Sequence, residues 1–127
     1  MCYVYYNPNP ANKFVGDCTI RALSKVLNDS WLNIYDDLYL QGRAMFDMEY
    51  SNAVWGEYLK ANGYIPEVIK NTCPNCYTIR QFAIDHPVGS FLLATGTHVV
   101  AVIDGDYYDT GDSGNEVPIY YWRKEVS

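Results

Sequence analysis

An α+β fold is predicted for this chain by two patterns and one bound. Apolar residues recur at helical spacing through the first half, and the last third reads as strands joined by a tight turn. The length of 127 residues leaves room for one core, so residues 1–127 are expected to form a single domain. The arrangement that follows is a layer of N-terminal helices packed on a C-terminal antiparallel sheet.

Taken in order, "MCYVYY" alternates enough for a short strand, and "NPNPANK" is a turn-rich loop. A helix follows from Asp17, with Ile20, Leu23, Val26 and Leu27 at helical spacing and "NDS" as its stop. Ser30 can cap a second helix, "WLNIYDDLYLQ", whose Trp31, Ile34, Tyr35 and Leu38 form one face, with Gly42 just past its end. Ser51 can cap a third through Val54, Tyr58 and Leu59, ended by "NGY". "IPEVI" reads as extended, its proline favouring a sheet edge. Thr78 followed by Gln81 gives a capping-box pattern for a fourth helix that Pro87 ends. "SFLLAT" is a continuous apolar run, "HVVAVIDGDYYDT" a hairpin turning at Asp104-Gly105, and "VPIYYW" a last strand.

Hydrophobic residues make up 49% of the chain and charged ones 19%, the balance of a folded domain rather than a disordered one. A net charge of −6 and no basic stripe argue against nucleic acid or an anionic membrane surface as partner. No run approaches a membrane span, and the N-terminus lacks the basic-then-apolar layout of a secretion signal, so a cytoplasmic location is expected. Cys2, Cys18, Cys73 and Cys76 are then expected to be reduced. Nothing in the chain sets an oligomeric state.

Chemistry concentrates in two stretches. In "NKFVGDCTIRAL" the cysteine follows Gly16 and Asp17 and falls in the first turn of a helix. Unpaired N–H groups and the helix dipole favour an anion there, which lowers a thiol pKa, and the Cys18 N–H can face a developing oxyanion. The plainer alternative is a small core cysteine at a helix start. In "GTHVVAVIDGDYYD", a two-residue turn at Asp104-Gly105 sets Ile103 opposite Asp106, Val102 opposite Tyr107 and Ala101 opposite Tyr108. His98 and Asp109 then share one face as diagonal neighbours, so the carboxylate can fix the imidazole tautomer and stabilise imidazolium. Asp104 and Asp112 are the other acids in reach, the first committed to the turn and the second beyond the pairing.

"GDCTIRAL", then "GTHVVAVIDG", then "YYD" resembles the papain-like cysteine peptidase superfamily in its compact bacterial and phage forms, nearest to the domain that trims double-glycine leader peptides from bacteriocins. The resemblance spans residues 12–110. It implies a papain-like fold with Cys18 as nucleophile, His98 as base and Asp109 as the orienting acid, with no cofactor. That family completes its oxyanion hole with a glutamine six residues before the cysteine. Here that position is Asn12, one methylene shorter, which the resemblance implies as the oxyanion donor beside the Cys18 N–H.

Other signals have plainer explanations. "CPNC", Cys73 to Cys76, has the spacing of half a zinc site, but no second pair follows and a surface turn accounts for it, so no metal is expected. His86 precedes Pro87 at a helix end and reads as a terminal charge or loop residue. "DGDYYDTGDSGNE" lacks the ligand pattern of a calcium loop. Trp31, Trp55 and Trp122 read as core or cleft walls. The expectation is a cysteine hydrolase acting on a peptide or protein substrate, from a phage or mobile element. A phage peptidoglycan amidase or endopeptidase is the enzymatic alternative. A non-catalytic peptide-binding module on the same fold is the other.

Overall fold

The chain opens with a short strand, β1 (Tyr3–Tyr5), in a computed structural model that describes residues 2–125. The loop after it is organised by buried Asn9, whose Oδ1 accepts from the Ala11 N–H at 2.8 Å and the Lys13 N–H at 3.4 Å. Three helices follow: α1 (Cys18–Val26), α2 (Trp31–Met45) and α3 (Asn52–Ala61). The serines expected to cap the second and third do so, Ser30 Oγ accepting from the Asn33 N–H at 3.1 Å and Ser51 Oγ from the Ala53 N–H at 3.3 Å. β2 (Tyr64–Val68) leads to α4 (Ile79–Asp85), where Thr78 Oγ1 accepts from the Gln81 N–H at 3.2 Å. The Gln81 side chain bonds Asp85 at 3.0 Å instead of reaching back, so half of the capping box forms. Then come β3 (Ser90–Ala94), β4 (Val99–Ile103), β5 (Asp106–Asp109) and β6 (Tyr120–Lys124).

Gly42 does not end α2 as its position suggests. The helix continues to Met45 and closes on Phe46, which takes the left-handed conformation (φ 53°) while the Asp47 N–H returns to the Gly42 carbonyl at 2.9 Å. Glycine is needed inside the helix because a Cβ there would lie 2.7 Å from the Asp47 carbonyl oxygen.

The six strands form one mixed sheet in the order β1-β5-β4-β3-β6-β2. The class is α+β, but the sheet is neither wholly antiparallel nor wholly C-terminal. β1 lies parallel to β5, with Tyr3 opposite Tyr107 and Tyr5 opposite Asp109. β2 joins the far edge against β6, with Pro66 opposite Trp122. An isolated three-residue strand gains little by itself, and pairing on the free edge of β5 satisfies its backbone. The β4–β5 register is the one the Asp104-Gly105 turn dictates, with Ile103 opposite Asp106, Val102 opposite Tyr107 and Ala101 opposite Tyr108.

Helices cover both faces, which is why "SFLLA" is apolar without alternation. On one face Leu23, Ile34, Leu38, Trp55 and Leu59 pack with Leu92, Ala94, Ala101 and Trp122. On the other, Ile79, Phe82 and Ala83 of α4 meet Leu93, Val100, Val102 and Tyr107. Among the described residues no helix is long and apolar enough to cross a membrane.

The expectation of four reduced cysteines is corrected at one place. Cys73 and Cys76 form a disulfide, while Cys2 and Cys18 are free. The tight turn around "CPNC", held by Thr72 Oγ1 donating to the Asn75 carbonyl at 2.6 Å, brings the two Cα atoms to 4.2 Å. Local geometry thus apposes sulfurs that compartment reasoning had kept apart.

Candidate active site

Cys18 is the first residue of α1, so its N–H has no partner within the helix. Asp17 sits at the N-cap, where an aspartate ordinarily accepts from the first-turn N–H groups. Here its side chain makes no such bond. Oδ1 accepts from Arg21 Nη1 at 2.6 Å and Oδ2 from Trp31 Nε1 at 2.8 Å. The carboxylate is thereby turned away, and the positive end of the helix stays open for an anion at Cys18.

His98 lies immediately before β4 and Asp109 ends β5, both at the open end of the hairpin, opposite its turn. The turn Thr95–His98 fixes the histidine backbone, its N–H donating to Thr95 Oγ1 at 3.0 Å and its carbonyl accepting from the Thr95 N–H at 2.8 Å. His98 Nε2 donates to Asp109 Oδ2 at 2.6 Å. That leaves Nδ1 free for the sulfur, and ring and thiol, which line the same cleft, act on each other closely enough to raise the pKa of the one and lower that of the other. The folded chain therefore brings together three of the residues singled out in the sequence: His98 is hydrogen-bonded to Asp109 and lines the same cleft as Cys18. The other acids are engaged elsewhere: Asp104 Oδ1 accepts from the Gly89 N–H at 2.9 Å, and Asp112 Oδ1 from the Tyr107 hydroxyl at 2.7 Å.

The electrostatics favour a separated ion pair. The hydrogen bond to Asp109, then the one to Cys18, raise the His98 pKa to about 10 against the opposing effect of burial. Burial alone would push the Cys18 thiol up, but the His98 hydrogen bond, the Val99 N–H and the charges of His98 and Arg21 outweigh it and hold the thiol below its ordinary value. Burial likewise works against the Asp109 carboxylate, and the hydrogen bond and charge of His98 hold its pKa below the usual carboxylate range. Thiolate and imidazolium are the consistent pair.

These groups open on a cleft of about 270 Å³ lined by Gly16, Cys18, Asn52, Trp55, Gly96 and His98, among others. Asn12 is not among its walls. It lies exposed in the preceding loop with φ 56°, its N–H bonded to the Asn9 carbonyl at 3.0 Å, because the Asn9-centred turn directs that stretch to solvent. The side-chain amide the cleft does contain is Asn52, at the start of α3. Its Oδ1 accepts from Trp55 Nε1 at 3.0 Å, and since an indole N–H only donates, the Asn52 amide keeps its N–H groups as free donors.

Sequence reasoning missed two members of this site. Asn52 carried no local signal. Arg21 did carry one, the i, i+4 spacing from Asp17, but an arginine on an amphipathic helix ordinarily faces solvent. It is instead buried, with Nη2 donating to Asp109 Oδ1 at 2.9 Å. His86 stands apart, stacked on Phe82 with ring centroids 3.8 Å apart and its Nδ1 at 2.8 Å from the Phe82 carbonyl oxygen. Among the described residues no group of three or more His, Cys, Asp or Glu is placed to hold a metal ion. No family model, curated protein or solved structure matches this chain, and the reading of the site rests on its geometry.

Proposed function

We propose that the chain is a cysteine hydrolase of papain-like architecture that cleaves a peptide or related amide bond through Cys18, His98 and Asp109. The observation that supports this reading is the convergence at one open cleft of the Cys18 thiol and the His98 ring, the ring backed by the Asp109 carboxylate at 2.6 Å. The architecture is compatible with it: a helix carries the nucleophile at its N-terminus, and at the open end of a β-hairpin the base immediately precedes one strand and its acid ends the other.

The chemistry follows from the ion pair. The Cys18 thiolate attacks the carbonyl carbon, and the negative oxygen forms against the free Cys18 N–H, with the Asn52 amide a second donor in the same cleft. His98 gives its proton to the leaving amine as the C–N bond breaks, producing a thioester and a neutral imidazole. That imidazole takes a proton from water, the hydroxide attacks the thioester, and the acid product leaves with the thiolate–imidazolium pair restored.

Iodoacetamide labelling at mildly acidic pH tests this, with Cys2 as internal standard. Hydrogen bonding to Asp106 raises the Cys2 thiol pKa, so it should react slowly, whereas Cys18 should react fast and selectively. Cys18→Ala should abolish the fast phase together with any turnover of p-nitrophenyl acetate or casein. Labelling of Cys18 no faster than Cys2 would overturn the proposal. The exposure of Asn12 favours a second reading, a peptide-binding module without turnover, and that result would support it.

A further inference from the structure

Arg21 is a full charge held at 5% exposure, one helical turn beyond Cys18, and the reaction just described gives it no part. Its guanidinium spans two carboxylates, Nη1 to Asp17 Oδ1 at 2.6 Å and Nη2 to Asp109 Oδ1 at 2.9 Å. Asp17 is the residue before the nucleophile, and Asp109 is the residue behind the base. Each carboxylate has a further donor: Trp31 Nε1 holds the other oxygen of Asp17, Oδ2, at 2.8 Å, and the Thr110 N–H shares Asp109 Oδ1 with Arg21 at 2.7 Å. With Oδ1 so occupied, Asp109 Oδ2 is the oxygen that faces His98, at 2.6 Å. Stability does not explain such a chain, because apolar side chains of similar volume commonly replace buried ion pairs without loss.

We propose that Arg21 is a positioning residue, a strut between the first turn of α1 and the end of β5 that sets the thiol against the imidazole and supplies the positive charge the site needs to hold its anions. The proposal rests on the hydrolase reading and adds a fourth member to its machinery. The charged groups bearing on Cys18 are His98 and Arg21; Asp109 bears on His98, and Asp17 and Asp109 on Arg21. Removing Arg21 withdraws one of the two cations near the sulfur and frees Asp109 to turn, and both effects act against the thiolate. A lysine keeps the charge and the aliphatic stem, but its single ammonium lacks the fork that spans two carboxylates.

The test is the pH profile of Cys18 alkylation by iodoacetamide, read by mass spectrometry, in Arg21→Lys and Arg21→Met, with urea unfolding to establish that each variant is folded. In Arg21→Met the acid limb should move to higher pH, lowering the rate at mildly acidic pH by about tenfold or more. Arg21→Lys should move in the same direction by less. A residue that only steadied the fold would lower the unfolding midpoint and leave the profile in place, so a profile superimposable on wild type in a folded variant would overturn the proposal. Should Arg21→Met fail to fold, the lysine variant decides by the same criterion. Slow labelling of Cys18 in the wild-type protein would instead mark the hydrolase reading as the one at fault.

Discussion

At Asp109 three donors converge on one carboxylate: Arg21 Nη2 and the Thr110 N–H on Oδ1, at 2.9 and 2.7 Å, and His98 Nε2 on Oδ2 at 2.6 Å. Each needs an acceptor, so an amide of the same shape is a sharp probe. In Asp109→Asn the oxygen stays with Arg21 and Thr110, two donors against one, and the NH₂ group is left facing His98. Nε2 must then accept rather than donate, which places the ring proton on Nδ1, toward the sulfur. In that tautomer the imidazole cannot take the thiol proton. Turnover should fall by on the order of 10²-fold or more, and the selective alkylation of Cys18 at mildly acidic pH should disappear while the fold is retained. A variant whose labelling profile matched wild type would separate Asp109 from the site. Asp109→Ala is the less informative change, because it leaves the buried Arg21 guanidinium short of an acceptor and mixes stability with chemistry.

Element-scale reasoning is most instructive in α2. Replacing a mid-helix glycine by alanine ordinarily stabilises by about 1 kcal/mol. Gly42→Ala should do the reverse, because its Cβ would meet the Asp47 carbonyl oxygen at 2.7 Å and the Glu49 nitrogen at 3.3 Å, both backbone atoms. We expect a loss of about 1–3 kcal/mol, measured by urea unfolding, whereas a gain would mean the 47–49 segment yields easily. The same residue shows where sequence reading stops. Ser30, Ser51 and Thr78 announce their helices because a cap is a contact across two or three residues, and Asp104-Gly105 announces its turn for the same reason, with φ of 49° and 84°. Gly42 looks like a stop signal, but it answers to a loop that folds back over it. β1 reads as a strand, yet its parallel partner β5 begins about a hundred residues on, and no local pattern names that partner.

Across the whole molecule, folding joins Cys18 to His98, and the two titrate in opposite directions. Their residue types and local settings were legible, and so was the hairpin register that faces Asp109 to His98. Arg21 was not, since its burial comes from three elements meeting, and Asn12 was misjudged because counting back from a nucleophile ignores how the intervening loop turns. The coupled pair has a consequence for stability against pH. The folded His98 pKa, about 10, lies above its ordinary 6.5, so taken alone it stabilises fully below 6.5 and loses that contribution as pH rises toward 10. The folded Cys18 pKa lies below its ordinary 9.0, so its contribution is present above 9.0 and is lost as pH falls through the lowered value. Above the lowered Cys18 value and up to 9.0 the folded pair holds one proton, on the imidazole, and above 6.5 the unfolded pair also holds one, on the thiol. The pair therefore adds no slope in that window. In Cys18→Ala the histidine titrates without its counterweight, still raised by Asp109, so the folded state holds a proton that the unfolded state lacks above 6.5. Relative to wild type, the variant should then lose stability as pH rises through the lowered Cys18 value toward 9.0. Urea unfolding of both proteins across this range measures the difference, in which all other titrating groups cancel. Parallel curves would mean that sulfur and ring are not coupled in the folded protein.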